Sequence, residues 1–210
     1  MSAQPAEQNV SARERNERRR RGRILRAAAA LAARGGLENV HMRDVADRAD
    51  VALATLYRYY PSKTHLMVAV LAAEIASLDE SIRRRPLVGE GPGERAAAVL
   101  VRTARWIMRE PDLADAMLRA ANSADASVVD WRSSVQDRLT SVVLYSAYGP
   151  DAAEEPGARS RLLARALHEV WTQELVLLLH GSTTLDELET TINEVAPRLL
   201  DDRPADARAR

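Results

Sequence analysis

The chain of 210 residues has no cysteine and no phenylalanine, and Lys63 is its single lysine. Without thiols there is no disulfide, no cysteine-ligated zinc, no iron–sulfur cluster and no thiol nucleophile. Long apolar runs are missing as well. Runs such as 27–33 and 175–179 fall far short of the roughly 18 residues that a transmembrane helix needs. Strand signals are scarce: β-branched alternation is rare, and no Asn-Gly or Asp-Gly pair offers a hairpin turn. The positive N-terminal stretch runs into an alanine-rich amphipathic segment with no cleavage-type ending, unlike a signal peptide. These absences set the expectation of a soluble cytoplasmic protein with no cofactor, no metal and no membrane partner.

Apolar residues make up 46% of the chain, enough to build a core. Thirty basic and thirty acidic side chains cancel overall, but not locally. Residues 1–63 hold 13 basic and 7 acidic groups, whereas 64–210 hold 17 and 23. A basic head on an acidic body points to a polyanion-binding module attached to something else. The arginine bias itself fits a GC-rich genome and carries little weight.

Helical periodicity dominates from end to end. Residues 1–12 read as a flexible arm. Ile24, Leu25, Ala28 and Leu31 fall at helical spacing within 13–34, and Gly35-Gly36 stops that helix. Two short helices are predicted at 42–49 and 52–60. A long one follows from 63 to 85, capped by Ser62 and ended by Pro86. Further helices are predicted over 94–109, 111–121, 126–148, 159–180 and 185–200, with loops at 89–93 and 150–157. The fold class is therefore all-α, with about nine helices. A three-helix head at 13–62 precedes a helical-bundle domain at 63–203 and a tail at 204–210.

The stretch 40–60 carries the chemistry. Its two short helices, joined by Ala49-Asp50-Val51, have the helix-turn-helix layout, whose second helix enters the DNA major groove. Val45, Val51 and Leu56 are placed to fix the angle between them, with Ala46 and Ala52 small at the close approach. Thr55, Arg58 and Tyr59 lie at i, i+3 and i+4 and share a face, with Tyr57 beside it. Hydroxyls and a guanidinium there can reach phosphates and base edges. The bland alternative is an ordinary packed helix, and Tyr60 reads as core. The eight arginines of 13–26 are read either as a solvated tail or, for 18–23, as a backbone or minor-groove contact.

The string Thr55-Leu56-Tyr57-Arg58-Tyr59-Tyr60-Pro61-Ser62-Lys63, with Met42-Arg43-Asp44-Val45-Ala46, resembles the DNA-binding domain of the TetR family of transcriptional regulators. The resemblance covers about residues 20–70. It implies DNA contacts at Arg43, Ala54, Thr55, Tyr57, Arg58, Tyr59 and Lys63, with Arg58 placed to help choose bases. Two positions depart from the family pattern: Tyr60 stands where Phe is common, and His41 where Thr or Ser caps the helix. Lys63 has its own rationale, since an ammonium beside a helix N-terminus favours an anion.

The resemblance also implies that the acidic half binds a small molecule and forms a homodimer through its last two long helices. Leu163, Leu167, Val170, Glu174 and Leu178 trace one stripe of 159–180. Leu188, Ile192 and Val195 trace one of 185–200, together with Leu185 and Leu199. Two such stripes fit an isologous interface; the alternative is intramolecular core. Pocket candidates are Trp106, Met108, Met117, Trp131 and Trp171, with Tyr145 as a polar handle, although Trp and Met at helical spacing equally fit core. Arg102, Arg105 and Arg109 share a face that could receive an anionic ligand end or simply be solvated.

Within the family, residues 45–52, 55–59 and 61–63 are similar to the KstR-type repressors of actinobacterial cholesterol catabolism. So are Ala116-Met117, Arg119-Ala120, 124–127 and Val170-Trp171. This implies a ligand-responsive repressor on a pseudo-palindromic double-stranded DNA operator, released by an apolar or acyl-CoA-type effector such as a steroid-CoA thioester. Ligand identity transfers poorly, since one methylene alters binding by about 1–3 kcal/mol. Two other classes remain. One is a DNA-binding regulator without an effector. The other, an all-α enzyme, is disfavoured because His41, His65, His168 and His180 form no metal-binding pair and no phosphate-binding glycine loop exists.

Overall fold

The computed structural model describes residues 4–84 and 89–201. The expected tail at 204–210, the first three residues of the expected arm and the break at Pro86 lie outside the described residues. Ten helices follow in chain order: α1 Gln4–Ala32, α2 Met42–Arg48, α3 Leu53–Tyr59, α4 Lys63–Arg84, α5 Pro92–Ile107, α6 Pro111–Ala121, α7 Val129–Tyr148, α8 Pro150–Glu154, α9 Ala158–Leu179 and α10 Leu185–Leu200. Short 3₁₀ turns precede α2 and α7, and no strand occurs among the described residues. No described helix is long and apolar enough to cross a membrane.

Local chemistry accounts for most boundaries. Proline opens α5, α6 and α8, where its missing N–H would have had no partner. Ser62 Oγ accepts the His65 N–H at 3.3 Å at the start of α4. Thr184 and Glu187 form a reciprocal capping box on α10, and the Thr184 N–H holds the Glu187 carboxyl below its ordinary pKa. Gly149 ends α7 with φ of 91°, a conformation that a side chain would disfavour.

Two segments differ from the sequence expectation. Residues 4–12, expected as a flexible arm, continue α1, because no glycine interrupts the chain between Pro5 and Gly22. The expected loop at 150–157 contains α8, which starts on its own proline.

Two hydrophobic cores organise the bundle. The first joins Ile24 of α1, Val45 of α2, Leu56 of α3 and Leu66 and Met67 of α4 to Leu113, Met117 and Ala120 of α6 and Val135 of α7. It spans the boundary expected between residues 62 and 63. The second joins α5, α7, α9 and α10 through Leu100, Leu144, Leu167, Trp171, Leu175, Leu188 and Ile192. Polar contacts tie one end of this layer. Arg95 donates to the carbonyls of Gly89, Ser146 and Ala147, and the Tyr148 hydroxyl donates to Leu200 O at 2.6 Å.

The second core corrects the expected dimer contacts. Leu167, Leu188 and Ile192 are fully enclosed within one chain and have no surface to offer a partner, and Leu178 is largely buried in the same core. The reason is that the α10 stripe faces α5 and α9, and the α9 stripe faces α10 and α7, not outward. Leu163, Val170 and Val195 are only partly buried against that core, and Glu174 is half-buried. Leu162 of α9, which had no role in the expected stripe, is 65% exposed.

Candidate nucleic-acid interface and ligand cavity

The turn between α2 and α3 is set by Asp50, whose φ of 52° places it in the left-handed region that Asp tolerates better than most residues. The Val51 N–H then reaches back to Ala46 O at 3.0 Å. Arg23 of α1 braces the turn, with one Nη donating to Asp50 O at 3.2 Å and the other to Asp50 Oδ2 at 3.4 Å. Val45 and Leu56 are fully buried between the helices and Val51 packs partly against them. Ala46 and Ala49 are the small buried residues at the approach; Ala52, expected there, is exposed as the α3 N-cap.

On α3 the outward face centres on Ala54, Tyr57 and Arg58, with Tyr57 46% exposed. Thr55 and Tyr59, expected at the centre, flank it half-buried. Tyr59 lies under two guanidinium groups, Arg21 at 5.2 Å and Arg58 at 5.5 Å from its ring centroid. These contacts carry the arginine-rich part of α1 to the edge of the recognition helix. Arg43 is exposed on the first turn of α2. His41 occupies the N-cap without a side-chain cap bond, in keeping with imidazole being a poorer cap than a hydroxyl. Lys63 stands at the α4 N-terminus, but its Nζ donates to Leu37 O at 3.0 Å, so it also braces the turn before α2. Tyr60 is buried, and that burial pushes its phenol pKa upward.

Behind this head lies a cavity of about 320 Å³ walled by α4, α5, α6, α7 and α9. Its lining is mostly apolar: Leu71 and Ile75 of α4, Ile107 of α5, Leu118 of α6, Leu139 of α7 and Leu175 of α9 are representative. Of the expected pocket residues, Trp106, Met117 and Trp171 line it. Met117 and Trp171 are buried, whereas Trp106 is 47% exposed at the rim.

Met108, Trp131 and Tyr145 do not line the cavity. Met108 is the α5 C-cap and packs against the second core. Trp131 is out of phase with the α7 residues that face inward, Arg132, Ser133 and Gln136. It is 39% exposed and lines a separate depression with Ser134 and Arg138. Its ring meets those of Tyr60 and His65 edge-on, with centroids at 6.5 and 6.4 Å, and so touches the joint between α3 and α4. Tyr145 lies further along α7, packed with Ile82 and Val99 under the Arg83 guanidinium at 4.4 Å.

The polar part of the wall was not singled out from the sequence. Glu74 is half-buried there, and burial, then Glu110, pushes its carboxyl pKa upward. Gln136 Nε2 donates to Glu169 Oε1 at 2.9 Å. His168, weighed in the sequence only as one of four histidines that form no metal-binding pair, is a buried wall residue. Burial holds its pKa below 6.5. Since the unfolded chain then binds the proton first, stability contributed by the neutral ring is complete above about pH 6.5 and declines as pH falls below it. Urea midpoints at descending pH are expected to fall more steeply for the wild type than for His168→Gln; parallel curves would refute this.

Residues 24–70 match the family described as bacterial regulatory proteins, tetR family, and residues 89–200 match the tetracyclin repressor-like C-terminal domain. The chain is similar to the HTH-type transcriptional repressor KstR of Rhodococcus jostii, with 38% identity covering 93% of this chain and 89% of the relative. It is 37% identical to KstR of Mycobacterium tuberculosis, covering 88% and 81%. The crystal structure of a TetR transcriptional regulator from Rhodococcus sp. RHA1 superposes with a TM-score of 0.81 at 32% identity, covering 90% of this chain and 99% of that one. FadR from Bacillus subtilis, in complex with stearoyl-CoA, shares the fold with a TM-score of 0.62 at 16% identity, covering 83% and 96%. Relatives named as transcriptional repressors set the enzyme alternative aside. With its head and body each matched, the chain belongs to the TetR family of bacterial transcriptional regulators.

Proposed function

We propose that this regulator is a dimeric repressor that holds a pseudo-palindromic operator through α2 and α3. An apolar or acyl-CoA-type effector filling the cavity releases it, and a steroid-CoA thioester is the form that the likeness to KstR favours. The observation carrying this reading is the placement of the cavity. Its walls include Val68, Leu71 and Ile75 of α4, the helix that begins directly after the recognition helix. A ligand that prefers one setting of α4 shifts the head by that differential affinity alone. Pairing through the outward faces of α9 and α10, where Leu162 is exposed and Leu163 and Val170 are partly open, would present two equal heads. The protein would act in the cytoplasm, on the nucleoid.

The test is a mobility shift on the promoter DNA beside its own gene, with and without a steroid-CoA thioester. Binding abolished by the thioester is the expected result. Binding that ignores every acyl-CoA and apolar ligand tried would leave a DNA-binding regulator without an effector.

Contacts on α3 can be tested in the same assay. Tyr57→Ala is expected to weaken operator binding by about 1–2 kcal/mol, roughly 5- to 30-fold, with the fold intact because the side chain projects outward. Arg58→Ala is expected to cost about 1–3 kcal/mol and to flatten the preference among operator variants. A uniform loss across variants would make Arg58 a phosphate contact. Lys63→Ala is a less clean probe, since it also removes the bond to Leu37 O.

A further inference from the structure

Most polar groups in the cavity wall already have partners within the protein. Trp171 Nε1 donates to Leu100 O at 3.1 Å and Thr103 Oγ1 to Val99 O at 2.8 Å. Arg132 donates to Ser123 O at 2.9 Å, and Gln136 is bound to Glu169. His168 differs. It is 4% exposed, its Nε2 lies 3.2 Å from Thr172 Oγ1, and its Nδ1 has no partner. Among the described residues it holds the one buried side-chain nitrogen or oxygen without a hydrogen bond. The fold supplies one partner for a ring with two nitrogens. A leucine would fill this place without leaving a buried polar atom unmatched, so packing alone does not account for the imidazole.

We infer that His168, with Thr172, is the polar anchor of the cavity. It makes the orienting hydrogen bond to an otherwise apolar ligand that carries an uncharged oxygen, a hydroxyl or a ketone, on its hydrocarbon body. This rests on the reading of the cavity as the effector site. A neutral imidazole has one donor and one acceptor nitrogen, so it suits either oxygen. Glu74 and Glu169 in the same wall disfavour a carboxylate there. A plain saturated chain brings no oxygen and leaves the ring unmatched, so the anchor selects an oxygenated body over a simple fatty acyl chain.

The test uses the full-length protein and three probes on one skeleton: androstane, androstanone and androstanol, with dodecane, dodecanone and dodecanol as a second trio. Binding is followed by calorimetry. Wild-type protein is expected to bind at least one oxygenated probe about tenfold or more tighter than its parent hydrocarbon. His168→Leu is expected to erase that preference while keeping hydrocarbon affinity, and His168→Gln to retain part of it. If His168→Leu does not fold by circular dichroism, Thr172→Val is the second variant, with a reduced preference expected. Equal binding of all probes, no binding of any, or a preference that survives His168→Leu and Thr172→Val would overturn the proposal. Operator release is read separately. Release by an oxygenated probe that is indifferent to His168 removes the anchor and leaves the effector reading standing. Binding that depends on His168 without release keeps the anchor and removes the effector reading.

Discussion

Gly93→Ala is expected to lower the unfolding free energy by about 3 kcal/mol, among the largest losses available from a single methyl group. A Cβ at Gly93 would stand 2.3 Å from Pro197 Cα, 2.5 Å from Pro197 N and 2.7 Å from Ala196 C. All three are backbone atoms, so no side chain can swing aside, and α5 and α10 would have to separate. That movement also pulls the Gly93 N–H from Asp201 Oδ1, at 2.8 Å, the carboxylate that serves the positive end of α5. Pro197 has no N–H to place at the contact, which leaves α10 smooth where the glycine meets it. The check is the urea midpoint at fixed protein concentration, with an unchanged slope. Gly149→Ala provides the contrast. It has strained φ but open space around it, so about 1 kcal/mol is expected. A Gly93→Ala midpoint equal to the wild type would mean that α5 and α10 do not touch as described.

Leu188→Ala is expected to cost about 2–5 kcal/mol, because Leu188 is fully enclosed between α10 and the second core and the cavity left behind cannot collapse freely. The reading of Leu188 as a dimer contact predicts something different: weaker self-association and a loss that fades at high protein concentration. Sedimentation equilibrium and urea unfolding at two concentrations separate the cases. The structure leads us to expect unchanged association and a concentration-independent loss. Weakened association without intrinsic destabilisation would return Leu188 to the interface.

Those leucines illustrate where sequence reading loses its footing. A stripe at helical spacing says that a helix has an apolar face, not which neighbour covers it. In α9 and α10 the cover is the same chain. Helix phase failed in a similar way at Trp131, which lies next in sequence to the cavity residue Arg132 but faces away from it. Met108 fell just beyond the end of α5 and packs against the second core, away from the cavity. The reading head was legible because local and tertiary signals agree there. Val45, Val51 and Leu56 fix the helix pair, Asp50 suits the left-handed turn, and Pro61-Ser62 separates α3 from α4. His168 left no such mark. Its role depends on being enclosed by residues from four other helices, and only the fold brings them together.

The first core has a consequence for how such regulators can be rebuilt. Val45, Leu56 and Met67 share their packing with Leu113, Met117 and Ala120 of α6 and Val135 of α7, and Arg119 of α6 pairs with Glu38 at 3.1 Å beside the head. The head is therefore not a cassette. A chimaera cut at residue 62 or 84 would seat a foreign floor beneath the recognition helix, and the graft would inherit mismatched volumes before it met any DNA. A productive exchange of operator preference between relatives must carry the inner faces of α6 and α7 with it. Those two helices also wall the cavity, so swapping what the protein reads on DNA disturbs the shape of the space inside.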